Sequence, residues 1–235
     1  MLYSIIIPTL NEADCLPAAV EAVRERAGDA EHEIILADCG SRDDTVRIAR
    51  RLGLHVFQDS RATCRAEACN LGARRARGDV LIFLDADTLV PPGFPGEIRT
   101  VLADENVVGG AFEFSLSGRG WALRFIEIVN RIRYRIWPRY YGDQAVFARA
   151  GVFRAVGGFP LRRILESSDF CIRLREMGKI KLIRTPVLTS SRRFTEGGVW
   201  RVFGKDTWIW FLDTIGLPTD GFGRAYWMFN RERGN

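Results

Sequence analysis

The chain has 235 residues, of which 47% are hydrophobic; this suits one α/β domain with a sizeable core and excludes a disordered chain, apart from a tail, Arg231–Asn235, expected to lack order. The net charge of +5 is carried almost wholly by arginine, since Lys179, Lys181 and Lys205 are the lysines; it fits an anionic ligand, an anionic membrane surface or a plain solvated face, and no nucleic-acid partner is expected. Five scattered cysteines (Cys15, Cys39, Cys64, Cys69 and Cys171) form no Cys-x-x-Cys pair, which argues against a zinc ribbon or disulfide scaffold and for a reducing compartment.

In chain order, the pattern predicts a strand at Tyr3–Ile7 and a helix at Ala13–Ala27 with Leu16, Ala19, Val20 and Val23 on its apolar side. A strand at Glu33–Ala37, a helix at Asp43–Leu52 and a short strand at Leu54–Phe57 follow, then a helix at Arg65–Arg75 and a strand at Val80–Leu84. Strands alternating with helices at this spacing imply a largely parallel sheet covered on both faces. The second half is less regular: strands at Val107–Ser115, Gln144–Arg149 and Lys179–Arg184, and helices at Gly120–Trp137, Phe170–Met177 and Gly197–Ile215. The start of the chain lacks a signal-peptide layout, and no apolar run approaches the roughly 20 residues of a membrane span. A cytoplasmic protein is expected.

Polar residues gather where strands end. The first strand runs into Pro8-Thr9-Leu10-Asn11-Glu12, the second into Asp38-Cys39-Gly40-Ser41, and the strand at Val80–Leu84 into Asp85-Ala86-Asp87. In a parallel sheet these ends lie together at the edge where open α/β folds bind ligands. Two aspartates one residue apart can aim at one point, and hard divalent cations such as Mg²⁺ or Mn²⁺ take such oxygen ligands while keeping phosphate and water in the remaining positions. A diphosphate leaving group needs an ion of this kind. The competing reading is a turn whose aspartates cap the next helix. Asp38 is placed either to accept from a base or ribose or to hold a capping loop, and Asp43 to cap the following helix.

These segments resemble the family-2 glycosyltransferases of the GT-A fold. The resemblance rests on Pro8 to Glu12, Asp38 to Thr45, Arg65 to Ala73, Asp85-Ala86-Asp87, Gly142-Asp143-Gln144-Ala145 and Gly157-Gly158-Phe159-Pro160, in order and spacing from residue 3 to about 185. Ser191-Arg192-Arg193 and the Gly142–Gln144 segment are similar to a bacterial subgroup labelled arsenosugar-biosynthesis glycosyltransferases. The resemblance implies one GT-A domain over residues 1–235, with a nucleotide-binding half (1–105) and an acceptor-side half (106–235). It implies that Pro8, Glu12 and Asp38 line the nucleotide pocket, that Arg65 lies near the nucleotide or diphosphate, that Asp85 faces the ribose and that Asp87 binds the metal. Gly142, Asp143 and Gln144 would border the sugar and acceptor. Inversion would follow from direct attack by an acceptor hydroxyl, with a carboxylate as general base.

The chain departs from the family at the base. Members usually carry a Glu-Asp pair at the start of a late helix, whereas here Glu166-Ser167-Ser168-Asp169 puts Ser167 in the aspartate position. Glu166 and Asp169, one helical turn apart and expected on one face, are candidates for the base, and Asp143 is a third. The alternative is a catalytically weak or inactive nucleotide-sugar-binding protein. No histidine lies beyond His55 to join a metal, while Arg192 and Arg193 suit a diphosphate clamp, or an exposed basic turn.

On the acceptor side, Trp121, Phe125, Ile128, Ile132 and Ile136 recur at helical spacing beside Arg124, Arg131 and Arg135. The commoner explanation is a helix packing this stripe onto the sheet; the other is a basic amphipathic helix on a membrane surface. Trp200 to Leu217 raises the same question. Both features suit a lipid-linked acceptor and peripheral membrane contact, and a homodimer stays open. Leu81 to Asp87 also looks like the nucleophile strand of haloacid-dehalogenase-type phosphatases, but that pair belongs near the start of a chain and Leu89 stands where Thr or Val is expected.

Overall fold

In β1 (Tyr3–Thr9) side chains alternate across the pleat, so Ile5 and Ile7 enter one apolar layer and Ile6 the other. The same division runs through β2 (His32–Asp38) and β4 (Val80–Phe83): Leu36 and Ile82 join the first layer, Ile35, Leu81 and Phe83 the second. A strand buried on both faces must be apolar throughout, which is why these runs read as continuous rather than alternating. The computed structural model describes residues 1–223, so the Arg231–Asn235 tail lies outside the described residues.

The strands form one eight-stranded sheet that crosses both halves of the chain. From one edge the order is β3 (His55–Gln58), β2, β1, β4, β7 (Phe147–Arg149), β6 (Val107–Leu116), β8 (Lys179–Thr189) and β5 (Thr88–Leu89). β3, β2, β1 and β4 are mutually parallel, as are β6 and β8; β7 runs antiparallel to both its neighbours and β5 antiparallel to β8. The helices α1 (Leu16–Arg26), α2 (Thr45–Arg51) and α3 (Arg65–Arg75) provide the crossovers between the parallel strands. α1 starts three residues later than the periodicity predicts, because Glu12–Cys15 turn first and Pro17 occupies the opening turn, where its missing N–H costs nothing. α3 lies close on β1: a side chain at Gly72 would come within 2.5 Å of the Ile6 Cγ2 atom.

Several elements carry no periodic signal: β5 is two residues long, and α4 (Phe94–Val101), α6 (Ala150–Ala155) and α8 (Arg192–Gly197) are short. The strand expected to end at Arg184 continues to Thr189. A shift in register between Phe112 and Glu113 of β6 skips two residues of β8, and Pro186 is accommodated on the far side of it. α7 spans Glu166–Met177, its second apolar face closing on a cluster in which Phe83, Phe159 and Phe170 meet at ring-centroid distances of 4.4 to 6.4 Å.

The expectation for the aromatic stripe is overturned. α5 (Trp121–Ile136) buries Leu123, Ile126, Glu127, Asn130 and Tyr134, while Trp121, Phe125, Ile128, Ile132 and Ile136 face outward. The inward face contains two polar residues; Glu127 Oε1 accepts hydrogen bonds there from the Leu116 amide, at 2.6 Å, and the Ser115 hydroxyl, at 2.8 Å. α9 (Val199–Thr214) lies beside α5, with Trp200 against Trp121 and Trp210 against Trp137. Among the described residues no helix is long and apolar enough to cross a membrane.

Candidate active site

The register of the parallel strands brings the three polar termini together. Thr9 pairs with Asp38, and Ile6 pairs with Phe83, so Glu12, Asp38 and Asp85 all leave neighbouring strands at the same edge. The loop after β1 is stapled to the loop after β2. The Asn11 amide donates to Ser41 Oγ (2.9 Å), the Glu12 amide to Thr45 Oγ1 (2.8 Å) and the Ala13 amide to Asp43 Oδ2 (3.0 Å). Asp43 also accepts from the Thr45 amide at 3.0 Å, which holds the first residue of α2. Asp38 is fully buried, its Oδ1 accepting from the Gly40 and Ser41 amides and its Oδ2 from the hydroxyls of Thr9 and Ser41. Pro8 is buried in β1 beside Ala37. Both residues are buried within the fold at this edge of the sheet.

The carboxylates form a cluster. Asp87 is pushed up to about 6, by burial first and then by the neighbouring charge of Asp85; Arg192 works in the opposite direction. Glu12 is pushed up to about 7 by burial and by Asp87, although Arg192 Nη2 lies 3.3 Å from its Oε2. Short strand β5 fixes this geometry: the Asp87 backbone carbonyl accepts from the Ser190 amide at 3.0 Å, and Thr88 and Thr189 share a hydroxyl hydrogen bond of 3.0 Å. The end of β8 and Arg192 are thereby held beside the aspartate pair. Among the described residues no group of three or more His, Cys, Asp or Glu side chains encloses a metal position.

Arg65, at the first turn of α3, ties this cluster to α7. Its Nε donates to Asp85 Oδ1 (2.7 Å), and its Nη1 donates to Glu166 Oε1 (2.9 Å) and Ser167 Oγ (3.2 Å). The turn Gly142–Gln144 lies against this guanidinium: a Cβ at Gly142 would sit 2.8 Å from the Arg65 Cζ atom, so a larger residue would push the guanidinium aside. Gln144 is buried and holds the turn, accepting from the Tyr141 amide and donating to the Phe112 carbonyl, both at 3.0 Å.

Asp143 differs from the other candidate carboxylates. Burial, then the charge of Asp85, pushes it up to about 6, against the pull of Arg193 and Arg133, and its Oδ1 is buried with no hydrogen-bond partner. Glu166 and Asp169, one turn apart at the start of α7, take different partners. Glu166 is buried against Arg65, whereas Asp169 pairs with Arg162 at 2.7 Å, which in turn pairs with Asp213 of α9 at 3.0 Å. The two arginines come from different elements and draw the carboxylates apart. Arg192 and Arg193 diverge likewise: Arg192 reaches Glu12, while Arg193 pairs with Asp206 of α9 at 2.6 Å.

Among the described residues three non-glycine residues adopt the left-handed conformation, Asn11 (φ 58°), Ala145 (φ 45°) and Leu165 (φ 61°). Each directly adjoins a candidate residue: Glu12, Gln144 and Glu166. Backbone of this kind costs on the order of 1–3 kcal/mol and persists where surrounding structure fixes it, commonly at functional sites. Sequence reasoning missed Arg133, Tyr141 and Asp206, which interact electrostatically with Asp143, and Thr189, whose hydroxyl donates to the Asp143 carbonyl at 3.1 Å. Arg133, Asp206 and Thr189 come from α5, α9 and β8, elements far apart in the chain, while Tyr141 immediately precedes the turn.

Residues 4–164 match the family described as Glycosyl transferase family 2. The PGL/p-HBAD biosynthesis glycosyltransferase of Mycobacterium tuberculosis is 33% identical over 187 residues, covering 73% of this chain and 69% of that protein. Among solved structures, the mannosyltransferase PcManGT from Pyrobaculum calidifontis, in complex with GDP-Man and Mn²⁺, superposes with a TM-score of 0.68 at 21% identity, over 99% of this chain and 72% of that one. TarS of S. aureus, in complex with UDP-GlcNAc, gives a TM-score of 0.64 at 17% identity over 81% of this chain. The chain spans only 58% of that TarS chain, which comprises residues 1–349.

Proposed function

The chain belongs to the family-2 glycosyltransferases and has the GT-A fold; from that premise we propose that it is an inverting, metal-assisted transferase that moves a sugar from a nucleotide-diphosphate donor to an acceptor hydroxyl, with Asp143 as the general base. The observation that carries this reading is the buried, unpartnered Oδ1 of Asp143 next to the Glu12–Asp85–Asp87 cluster. A base that titrates near 6 is ionised at neutral pH yet still takes up a proton readily, as general-base catalysis requires. In the proposed step the acceptor O–H gives its proton to Asp143, the oxygen forms the new bond to the anomeric carbon, and the nucleoside diphosphate leaves with the electron pair of the broken C–O bond.

Residues 1–105 would serve the donor and 106–235 the acceptor. Asp87, the donor diphosphate and water would hold a divalent cation, Mg²⁺ or Mn²⁺. The carboxylate oxygens present are of the hard kind such an ion takes, and its charge would offset the desolvation and mutual repulsion that raise Asp87 and Glu12. When bound, the ion would neutralise charge on the departing diphosphate. Arg192 would add a guanidinium to the same oxygens, and Arg65 would hold Asp85 toward the ribose. The relatives whose structures hold GDP-Man with Mn²⁺ and UDP-GlcNAc support a nucleotide-sugar donor of this class.

A second reading, binding of nucleotide sugar without transfer, is favoured by Ser167, which stands 3.2 Å from Arg65 Nη1 where the family carries its aspartate. The narrower likeness to the arsenosugar-biosynthesis subgroup rests on Ser191 to Arg193, of which Arg192 reaches Glu12. Titration calorimetry with GDP- and UDP-sugars plus Mn²⁺, followed by a donor-hydrolysis assay, separates transferase from binder. Binding with no hydrolysis and no transfer to any hydroxyl acceptor would sink the transferase reading.

A further inference from the structure

α5 and α9 together expose an apolar surface that nothing among the described residues covers. Trp121 is 74% exposed and Ile136 58%, with Ile132 between them on α5 and Trp208 and Phe211 on α9. A groove of about 460 Å³ runs along α9 beside Trp208 and Phe211, where Gly204 interrupts the row of side chains. A patch this large on a folded protein marks an interaction site.

Charge identifies the occupant. The acids of the two helices are Glu127, Asp206 and Asp213, and each is turned inward: Glu127 onto β6, Asp206 to Arg193, and Asp213 to Arg139 and Arg162. The charged residues left exposed on the same helices are cationic, notably Arg135, Arg201 and Lys205. Tryptophans in an apolar face ringed by cations match the boundary between acyl chains and anionic headgroups. A second copy laid on the face would instead bring two sets of these cations together. We propose that the α5–α9 face docks on the surface of an anionic lipid bilayer.

The face also adjoins the acceptor side. The Arg133 guanidinium lies over the ring of Trp210 at 5.7 Å and over the ring of Tyr141 at 4.7 Å, and Tyr141 leads directly into the turn that carries Asp143. Docking therefore places Asp143 near the headgroup layer, where a lipid-borne hydroxyl would reach it. This last step rests on the function proposed above; the docking does not.

The test is co-sedimentation of the full chain with vesicles of phosphatidylcholine alone and of an equimolar phosphatidylcholine–phosphatidylglycerol mixture. Binding to the mixed vesicles is expected to exceed binding to neutral ones and to weaken as salt rises. Replacing Trp121 or Trp208 by Ser should lower it on the order of tenfold, and replacing Arg135, Arg201 or Lys205 by Gln roughly fivefold each. All of these side chains are exposed, so the variants should keep their far-UV circular dichroism and nucleotide binding. Absence of vesicle binding with donor binding intact overturns the docking alone, and loss of donor binding with vesicle binding intact overturns the proposed function alone. A dimer in sedimentation equilibrium that Trp121→Ser abolishes, without vesicle binding, assigns the face to a second copy and overturns the proposal.

Discussion

Arg65 donates through Nε to Asp85 Oδ1 at 2.7 Å, and the same guanidinium reaches Glu166, so the strand-end carboxylates and the start of α7 are held by one side chain. Removing it would leave Glu166 buried without its cationic partner, with only the Ser167 hydroxyl donating to it at 3.3 Å. Arg65→Ala is expected to destabilise the protein by about 3 kcal/mol, a fall in Tm of roughly 6–12 °C for a chain of this size. Arg65→Lys should recover only part of that, because an ammonium cannot span both carboxylates. Thermal melts followed by circular dichroism measure both.

The three candidate bases should separate cleanly. Asp143→Asn is nearly isosteric and is expected to lower transfer by about 10²–10⁴-fold while leaving donor binding intact. Glu166→Gln and Asp169→Asn, each relieved of an arginine partner, should lower transfer by less than about tenfold and act mainly on Tm. If Glu166→Gln instead matched the loss at Asp143, the assignment would move to Glu166.

Metal dependence should follow Asp87. Asp87→Ala is expected to abolish the Mn²⁺-dependent part of the thermal shift given by nucleoside diphosphates and to reduce donor hydrolysis by about 100-fold or more. An unchanged Mn²⁺ response in calorimetry would remove Asp87 from the metal site.

The pH dependence has a definite sign. Asp87 and Glu12 bind protons more tightly folded, at about 6 and about 7, than the unfolded carboxylates that titrate near 4. The native state thus holds more protons across that window, so the stability of the metal-free protein should fall as pH rises from about 4 to about 7. Mn²⁺ requires the ionised form, so its affinity should weaken as pH falls through that window. Melts with and without Mn²⁺ should diverge with increasing pH; parallel curves would count against the cluster as its binding site.

Transfer itself should fall as pH drops below about 6, where Asp143 becomes protonated, and level off above it. The profile is best read with saturating Mn²⁺, and Asp143→Asn should flatten it.

Several features of this protein follow from local chemistry. β-branched runs broken by Asp, Asn, Gly and Ser define β1, β2 and β4 and their polar ends, and strand periodicity alone places Glu12, Asp38 and Asp85 at one edge. Other features depend on partners far apart in the chain. Which face of α5 is buried was decided by Glu127 finding two donors on β6, so that a polar residue went inward and a tryptophan stayed out. The spacing of Glu166 and Asp169 predicts a shared face, but Arg65 and Arg162 arrive from different elements and claim one carboxylate each. Periodicity fixes where a side chain leaves its own element. The charge and hydrogen-bond partners that decide what it does there are assembled only by the tertiary fold, because a buried polar group takes whatever partner satisfies it.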